Sequence, residues 1–149
     1  MKNKGFSLVE LIIVIAIMAI LAAAIAPALI RYIDKSRKAD DLTAGGVINT
    51  AVNAALANED AYDELQNMTG IVGVVSKDYI HAQGTAFSKE FSANLDQKVS
   101  PKYKKESQSC YIVYADTNHK ITVMIGEDAS DTSHSESWQM QPSIGSEYK

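Results

Sequence analysis

Apolar residues dominate one continuous stretch near the start of the chain. Leu11 to Ile30 is a run of 20 residues without a charged side chain. A helix of that length spans about 30 Å, the thickness of the hydrocarbon core of a bilayer. Helix-forming residues fill the run apart from Pro27, and a helix satisfies its own backbone hydrogen bonds in lipid. The pattern therefore predicts a transmembrane helix.

A cleaved secretory signal peptide is the alternative for the same stretch. Lys2 and Lys4 would supply its positive start, and Ala24 to Ala26 would supply the cleavage site. However, the apolar run is longer than the usual ~7–15 residues. Glu10 also interrupts the front of the run, and Pro27 would follow the scissile bond. These features favour a helix that is retained.

The helical pattern continues beyond the apolar run. Its next part carries charged residues, for which a solvated or subunit-facing surface is expected: Arg31, Asp34, Lys35, Arg37, Lys38, Asp40 and Asp41. Apolar residues then recur at three- and four-residue spacing, as on one face of a helix: Ala44, Val47, Ile48, Ala51, Val52 and Ala55. We expect one helix from Phe6 to Ala57, about 78 Å long, with a bend or hinge at Gly45-Gly46 and an exit at Asn58 to Asp60.

The remaining residues, 58–149, are expected to form a small head. Ile71 to Val75 is too apolar for an open loop and predicts a short strand or turn. Ser88 to Leu95 predicts a short helix with Ser88 as its cap and Glu90 in its first turn.

Two runs rich in β-branched and aromatic residues give the clearest strand signal. Cys110 to Ala115 and Lys120 to Ile125 flank a polar turn and predict an antiparallel hairpin. A further strand is expected near Trp138. A head of this size cannot build a large core alone, so the helix face at 44–56 should complete it. We therefore expect an α+β fold, a long N-terminal helix packed against a small antiparallel sheet.

Composition narrows the class of protein. The 149 residues suit one domain. There are 14 basic and 18 acidic side chains, a formal net charge of −4, which argues against a basic nucleic-acid-binding surface. The single cysteine, Cys110, excludes an intrachain disulfide and a zinc site built from several thiolates. We expect Cys110 to be a small buried apolar residue.

Candidates for metal binding and catalysis are weak. Three histidines lack metal-ligand spacing and are expected to be exposed: His81, His119 and His134. The stretch Glu127 to Asp131 is a weak calcium candidate through Asp128 and Asp131, but it lacks the glycine and closing glutamate of an EF-hand. An ordinary acidic turn is the alternative. With no glycine-rich phosphate loop and no nucleophile elbow, we expect neither a cofactor nor enzymatic activity.

The residues before the apolar run form the most specific motif. Lys4-Gly5-Phe6-Ser7-Leu8-Val9-Glu10 resembles the prepilin signal of type IV pilins and of the pseudopilins of type II secretion and DNA-uptake systems. The resemblance covers residues 1–57. It implies that a membrane peptidase cuts between Gly5 and Phe6 and methylates the new amine of Phe6. Glu10 would then be the fifth residue of the mature chain.

Charge alone leaves the orientation of the helix open. Lys2 and Lys4 precede the apolar run, but four basic residues follow it closely, against the positive-inside rule. The resemblance implies a cytoplasmic leader and a C-terminal part outside. It divides the chain into a leader at 1–5, a transmembrane and assembly half of the helix at 6–30, an amphipathic half at 31–57, and a head at 58–149 with a hairpin at about 110–125.

Glu10 carries a charge at the edge of hydrocarbon. An ionised carboxylate there costs about 2.5–3.5 kcal/mol and usually pairs with a cation. Cleavage after Gly5 would create such a cation at the Phe6 amine, one helical turn away. A pair between staggered neighbouring subunits would set their axial register. The alternative is a carboxylate that lies among the lipid headgroups.

Pro27 has no N–H and clashes with the carbonyl of Ala23, which predicts a kink or a loosened turn. Many members of the resembled family carry proline at this position. In a packed filament the defect would become a locally unwound stretch that lets the filament extend, whereas the alternative is a mild kink without a role. Small residues nearby allow close helix approach: Ala22, Ala23, Ala24, Ala26 and Ala28.

These observations predict a structural subunit of a type IV pilus-like filament, stored in the membrane as a precursor and extracellular once assembled. The resemblance implies as partners a prepilin peptidase, an assembly ATPase with its platform protein, and copies of the chain or sister pilins. The nearest alternative is a pseudopilin, which calcium at Asp128 and Asp131 would favour because several pseudopilins bind calcium in a C-terminal loop. A membrane-anchored binding module with a simple tether is an alternative of another class.

The cysteine count also bears on the source. Gram-negative members of the resembled family often close a C-terminal loop with two cysteines, which a chain with only Cys110 cannot do. This departure suggests a Gram-positive bacterium.

Overall fold

The structure is a computed structural model that describes residues 5–103, 108–127 and 138–148. Its elements in chain order are α1 (Leu8–Ala55), α2 (Glu59–Gln66), β1 (Gly70–Ser76), β2 (Ile80–Ala82), α3 (Ala86–Asn94), β3 (Cys110–Ala115), β4 (Ile121–Gly126), β5 (Gln139–Gln141) and a final 3-10 turn (Ser146–Tyr148). The chain divides into two compact units, the first ending at Ser36 and the second beginning at Arg37.

In the N-terminal unit, helix α1 exposes apolar side chains on every side. Each described residue from 5 to 33 is exposed. By length and composition α1 can cross a membrane, since its most apolar 18-residue window has a mean hydropathy of 3.0 and no buried residue. Pro27 lies inside the helix and does not end it. The fold thus confirms the predicted long apolar N-terminal helix.

In the C-terminal unit, α1 buries one face against the sheet. The buried residues follow a helical spacing: Asp41, Gly45, Ile48, Ala51, Val52 and Ala55. The helix continues through Gly45-Gly46, where a bend or hinge is predicted. Gly45 instead allows close approach to β5, because a Cβ atom there would lie 3.0 Å from the Cβ of Met140. The buried glycine thus serves packing.

The end of α1 leads directly into a second helix. The predicted boundary at Ala57 is two residues late, since α1 ends at Ala55. Asn58 adopts an extended conformation, and its side-chain oxygen accepts the N–H of Ala61 at 3.3 Å, which caps α2. Asn58 to Asp60 is therefore the start of a helix as well as the exit from α1. Glu59 and Asp60 lie in the first turn of α2 and stabilise it, because negative side chains interact favourably with a helix N-terminus.

The five strands form one antiparallel sheet in the order β2-β1-β3-β4-β5. Strands β3 and β4 pair from Cys110↔Gly126 to Ala115↔Ile121, which confirms the predicted hairpin. Strand β1 confirms the strand alternative for 71–75, and β5 follows Trp138 as expected. The edge strand β2 has no counterpart in the predictions because it is only three residues long.

The two faces of the sheet carry separate clusters. The main core lies between the sheet and the helices and includes Ile48, Val52, Phe87, Phe91 and Tyr111. A smaller cluster on the opposite face contains Val74, Cys110, Ile112 and Met124. Cys110 is 1% exposed, which confirms its prediction as a buried residue, and its Sγ lies 3.6 Å from the carbonyl oxygen of Gly126.

Candidate assembly site

The carboxylate of Glu10 bends back over the start of α1. Its Oε2 accepts the backbone N–H of Ser7 at 2.9 Å. Ser7 immediately precedes the helix, so Glu10 satisfies one of the backbone donors that a helix start leaves unpaired. The spacing Ser7-x-x-Glu10 is that of a capping box, a signal that the sequence analysis missed. Glu10 and Ser7 are both exposed.

The other proposed processing and assembly residues lie in the same N-terminal unit. Gly5 and Phe6 precede the helix in a non-helical segment, and the Phe6 side chain is 82% exposed. A Cβ atom at Gly5 would have no neighbouring atom within 4 Å. An accessible, non-helical segment is what a peptidase requires at a scissile bond. The roles assigned to Gly5, Phe6, Glu10 and Pro27 remain predictions.

A buried carboxylate in the C-terminal unit corrects the sequence analysis. The sequence pattern predicts Asp41 on a solvated or subunit-facing surface, yet it is 1% exposed. Its Oδ1 accepts the backbone N–H of Lys102 at 2.7 Å and the hydroxyl of Tyr111 at 3.2 Å. Its Oδ2 accepts the backbone N–H of Tyr103 at 2.8 Å and the hydroxyl of Tyr148 at 3.2 Å. We call these five residues the Asp41 clasp.

The electrostatics of the clasp follow from its burial. Burial, and then the negative charge of Asp41, raise the pKa of the hydroxyls of Tyr111 and Tyr148 well above the ordinary tyrosine value. Both hydroxyls therefore stay protonated and keep donating. The clasp joins α1 to strand β3, the 102–103 segment and the last turn. All four donors bind the two oxygens of the same carboxylate.

The helical phase of Asp41 could have revealed the clasp. Positions 41, 45, 48, 52 and 55 share one face of α1, and four of the five are small or apolar. An acidic side chain at a core position of an amphipathic helix requires hydrogen-bond donors, because burying an unpaired charge is costly. Its neighbour Asp40 is exposed as expected, and its Oδ2 pairs with Lys102 Nζ at 2.9 Å.

A second carboxylate fixes helix α3. Glu64, on α2, accepts the backbone N–H of Thr85 at 3.0 Å and that of Phe87 at 3.0 Å. These hydrogen bonds lower the pKa of Glu64. The helix starts at Ala86 after Thr85, and Thr85 makes no side-chain cap of its own. The predicted start at Ser88, with that residue as cap, is therefore wrong, because the capping group comes from another helix.

The metal candidates gain no support from the described residues. Asp128, Asp131 and His134 lie outside them. His81 is exposed as expected, but His119 is half-buried in the turn before β4, and its Nδ1 is buried without a hydrogen-bond partner there. Within residues 5–103, 108–127 and 138–148, no group of three or more histidine, cysteine, aspartate or glutamate side chains could hold a metal ion.

Comparison with known proteins finds similarity to type IV pilins and fimbrial proteins. A family model described as the prokaryotic N-terminal methylation motif matches residues 1–26. The chain is 28% identical over 142 residues to the type IV major fimbrial protein FimA of Dichelobacter nodosus, covering 94% of this chain and 82% of the relative. It is 55% identical over 57 residues to the type IV major alpha-pilin of Moraxella bovis. The motif and these matches support a type IV pilin family for the chain.

The matches to two other pilins cover smaller parts of the chain. The match to the Moraxella pilin covers 36% of this chain and 34% of that protein. A match to the type IV major pilin protein PilA of Myxococcus xanthus is 35% identical over 69 residues, 46% of this chain and 31% of the relative. The chain thus spans about a third of these two pilins. No solved structure matches the chain.

The architecture agrees with the similarity to type IV pilins. A long apolar N-terminal helix and a small antiparallel sheet form the expected α+β pilin fold. The apolar helix and the family together indicate a membrane-anchored precursor and a surface pilus. The family consists of structural subunits. None of these relatives supports the Gram-positive source suggested by the cysteine count.

Proposed function

We propose that this pilin is cleaved between Gly5 and Phe6, methylated on the new amine of Phe6, and polymerised through α1 into a pilus. The prepilin peptidase, the assembly ATPase and its platform protein are the proposed partners in that sequence. The proposed division of the chain has a leader at 1–5, assembly and amphipathic helix halves at 6–30 and 31–57, and the head at 58–149.

The observation that carries the proposal is the start of α1. Gly5 and Phe6 are exposed in a non-helical segment, and the carboxylate of Glu10 accepts the N–H of Ser7. Ser7 directly follows Phe6, so cleavage would create a cation next to the group that Glu10 already holds. In a monomer this geometry caps the helix. Between neighbours, the same carboxylate can pair with another subunit's amine and set the register.

A filament also accounts for the exposed apolar surface. Apolar residues such as Leu11, Ile12 and Ile20 are more than half exposed in the N-terminal unit. Lipid covers this surface in the precursor, and only other apolar helices can cover it in a filament outside the membrane. The similarity to FimA over 94% of this chain favours a pilin over a pseudopilin. A simple tether would leave the Gly5-Phe6 motif and Glu10 without a role.

Substitutions at Glu10 test the proposal. Glu10→Leu should insert and be cleaved normally, while the yield of sheared filaments falls at least about tenfold, the change that 1.4 kcal/mol produces in an equilibrium constant. Glu10→Gln is the matched control, because its amide oxygen can still accept the Ser7 N–H but carries no charge. If charge sets the register, Gln fails as Leu does. Wild-type filament yield from both variants would remove the role proposed for Glu10.

A further inference from the structure

One three-residue motif lies in the head, outside the proposed assembly region. In Asn67-Met68-Thr69 an asparagine is followed two positions later by a hydroxyl residue, with no proline between them. This is the acceptor pattern for N-linked sugars, which are found on surface loops of secreted proteins. The other asparagines of the chain have no serine or threonine two positions later: Asn3, Asn49, Asn53, Asn58, Asn94 and Asn118.

The structure places this motif in the turn between α2 and β1. Asn67 directly follows the last residue of α2 and is not helical, with φ −101° and ψ 4°. Asn67 and Thr69 are both exposed. A Cβ atom at the next residue, Gly70, would have no neighbouring atom within 4 Å, so the surface beside the motif is open. An enzyme can therefore reach both side chains in the folded head.

The side-chain nitrogen of Asn67 has the hydrogens for both a hydrogen bond and a sugar. An amide nitrogen carries two hydrogens, and Asn67 Nδ2 donates to the carbonyl of Asp63 at 3.0 Å. An N-linked sugar replaces only one of the two hydrogens. The modified side chain can therefore keep its hydrogen bond to Asp63, which holds the sugar at a fixed place at the end of α2.

An open polar cavity of about 630 Å³ adjoins the motif. Asn67 itself lines this cavity, together with Asp60 on α2, Thr85 before α3 and Lys89 on α3. Carboxylate, hydroxyl and ammonium groups are all hydrogen-bond partners for the hydroxyls of a sugar. The volume falls within the ~300–1,000 Å³ that is typical of small-molecule sites. A first sugar residue on Asn67 Nδ2 can therefore lie over this cavity.

We propose that Asn67 is the acceptor of an N-linked glycan on the head. In the transfer, Nδ2 forms a bond to the anomeric carbon of a sugar whose donor is activated by a phosphate or diphosphate group. The bond between that carbon and the phosphate oxygen breaks, and the phosphate leaves with the electron pair. A base of the transferase takes one proton from Nδ2. This modification goes beyond the proposed assembly through α1 and requires only an accessible head.

Peptide mass spectrometry of chains isolated from their native cells tests the assignment. Asn67 lies on the tryptic peptide 39–77, and fragmentation of that peptide should locate a sugar mass on Asn67. Asn67→Gln and Thr69→Ala should both lose the sugar, whereas Thr69→Ser retains the hydroxyl and should keep it. Thr69 is exposed, so both of its substitutions leave the core of the head unchanged.

Asn94→Gln is the matched control. Asn94 is also exposed, and its Nδ2 donates one turn back to the carbonyl of Glu90 at 2.8 Å, as Asn67 Nδ2 does to Asp63. Asp96 follows it two positions later, so the acceptor pattern is absent there. The variant should keep the full sugar mass on peptide 39–77.

An unmodified peptide 39–77 from the native chain would overturn the inference. So would a sugar that persists in Asn67→Gln or Thr69→Ala, or one that fragmentation locates on a serine or threonine. These results are separate from the proposed function. Filaments built from chains without a sugar contradict the glycan alone, whereas a chain that carries the sugar but is not cleaved after Gly5 contradicts the proposed processing alone.

Discussion

The hydroxyl of Tyr148 donates to Asp41 Oδ2 at 3.2 Å, across 107 positions of the chain. This hydrogen bond ties the last turn to helix α1. Tyr148 also makes edge-to-face contacts with Tyr103 and Trp138, at centroid distances of 5.9 and 6.0 Å. The C-terminus of the head is therefore held by a buried charge and an aromatic cluster, without a disulfide among the described residues.

Asp41→Asn should destabilise the head strongly. Hydrogen bonds to a charged group contribute about 1.5–3 kcal/mol each, and the amide would point two hydrogens at groups that themselves donate. We expect a loss of at least about 3 kcal/mol in the free energy of unfolding, measured by denaturant titration of the detergent-solubilised chain. Asp40→Asn is the control and should cost no more than about 1 kcal/mol, because its ion pair is exposed. Equal losses would contradict the clasp.

Tyr148→Phe should change how stability depends on alkaline pH. The pKa of Tyr148 is raised in the folded chain, so its contribution is present below the unfolded value of about 10 and is lost as pH rises above it. Above that pH the folded chain retains a proton that the unfolded chain releases. Stability of the variant should fall less steeply there, by up to about 1.4 kcal/mol per pH unit. Thermal unfolding at pH 8 and pH 11 measures the difference, and identical slopes would contradict it.

Gly84→Ala should be more harmful than Gly70→Ala. Both glycines have positive φ, at +79° and +95°, so each alanine is strained by about 1–3 kcal/mol. At Gly84 the new Cβ atom would also clash with Glu64 Oε2 and lie 2.7 Å from Met68 Cε, whereas Gly70 has open space. Gly84→Ala should therefore displace the carboxylate that caps α3. Calorimetric midpoints compare the two. Adding Glu64→Ala and Met68→Ala together should remove the excess loss, because both side chains would crowd the new Cβ atom; a persistent excess would exclude the clash.

Alanine substitution at the two adjacent glycines of α1 should change the stability of the head in opposite directions. Gly46→Ala should stabilise by about 0.5–1 kcal/mol through helix propensity, because its Cβ position is open. Gly45→Ala should be destabilising, since overpacking against Met140 costs about 1–3 kcal/mol and exceeds the gain in propensity. Chemical denaturation of the two variants measures the sign of each change in the free energy of unfolding. Stabilisation by Gly45→Ala would mean that α1 can move away from β5.

The elements that the sequence predicts correctly are those whose pattern is local. The predictions fail where residues that are distant in the chain determine the local structure. The apolar helix and the β3–β4 hairpin follow from composition and periodicity within short windows. The start of α3 depends on Glu64, which lies more than twenty residues earlier, so the local choice of Ser88 fails. Likewise, Asp41 was placed with its charged neighbours although its donors lie on segments around 102, 111 and 148. From the sequence, the pair Gly45-Gly46 suggests a hinge. In the structure, Gly45 is needed because Met140 packs against it.

Removal of the first five residues is the step on which assembly through the Phe6 amine depends. Mass spectrometry of chains extracted from assembled filaments measures this directly. We predict a mature chain that begins at Phe6 and carries one methyl group on its amine. Filaments built from chains that still carry Met1 to Gly5, or that begin beyond Ala24, would contradict the account.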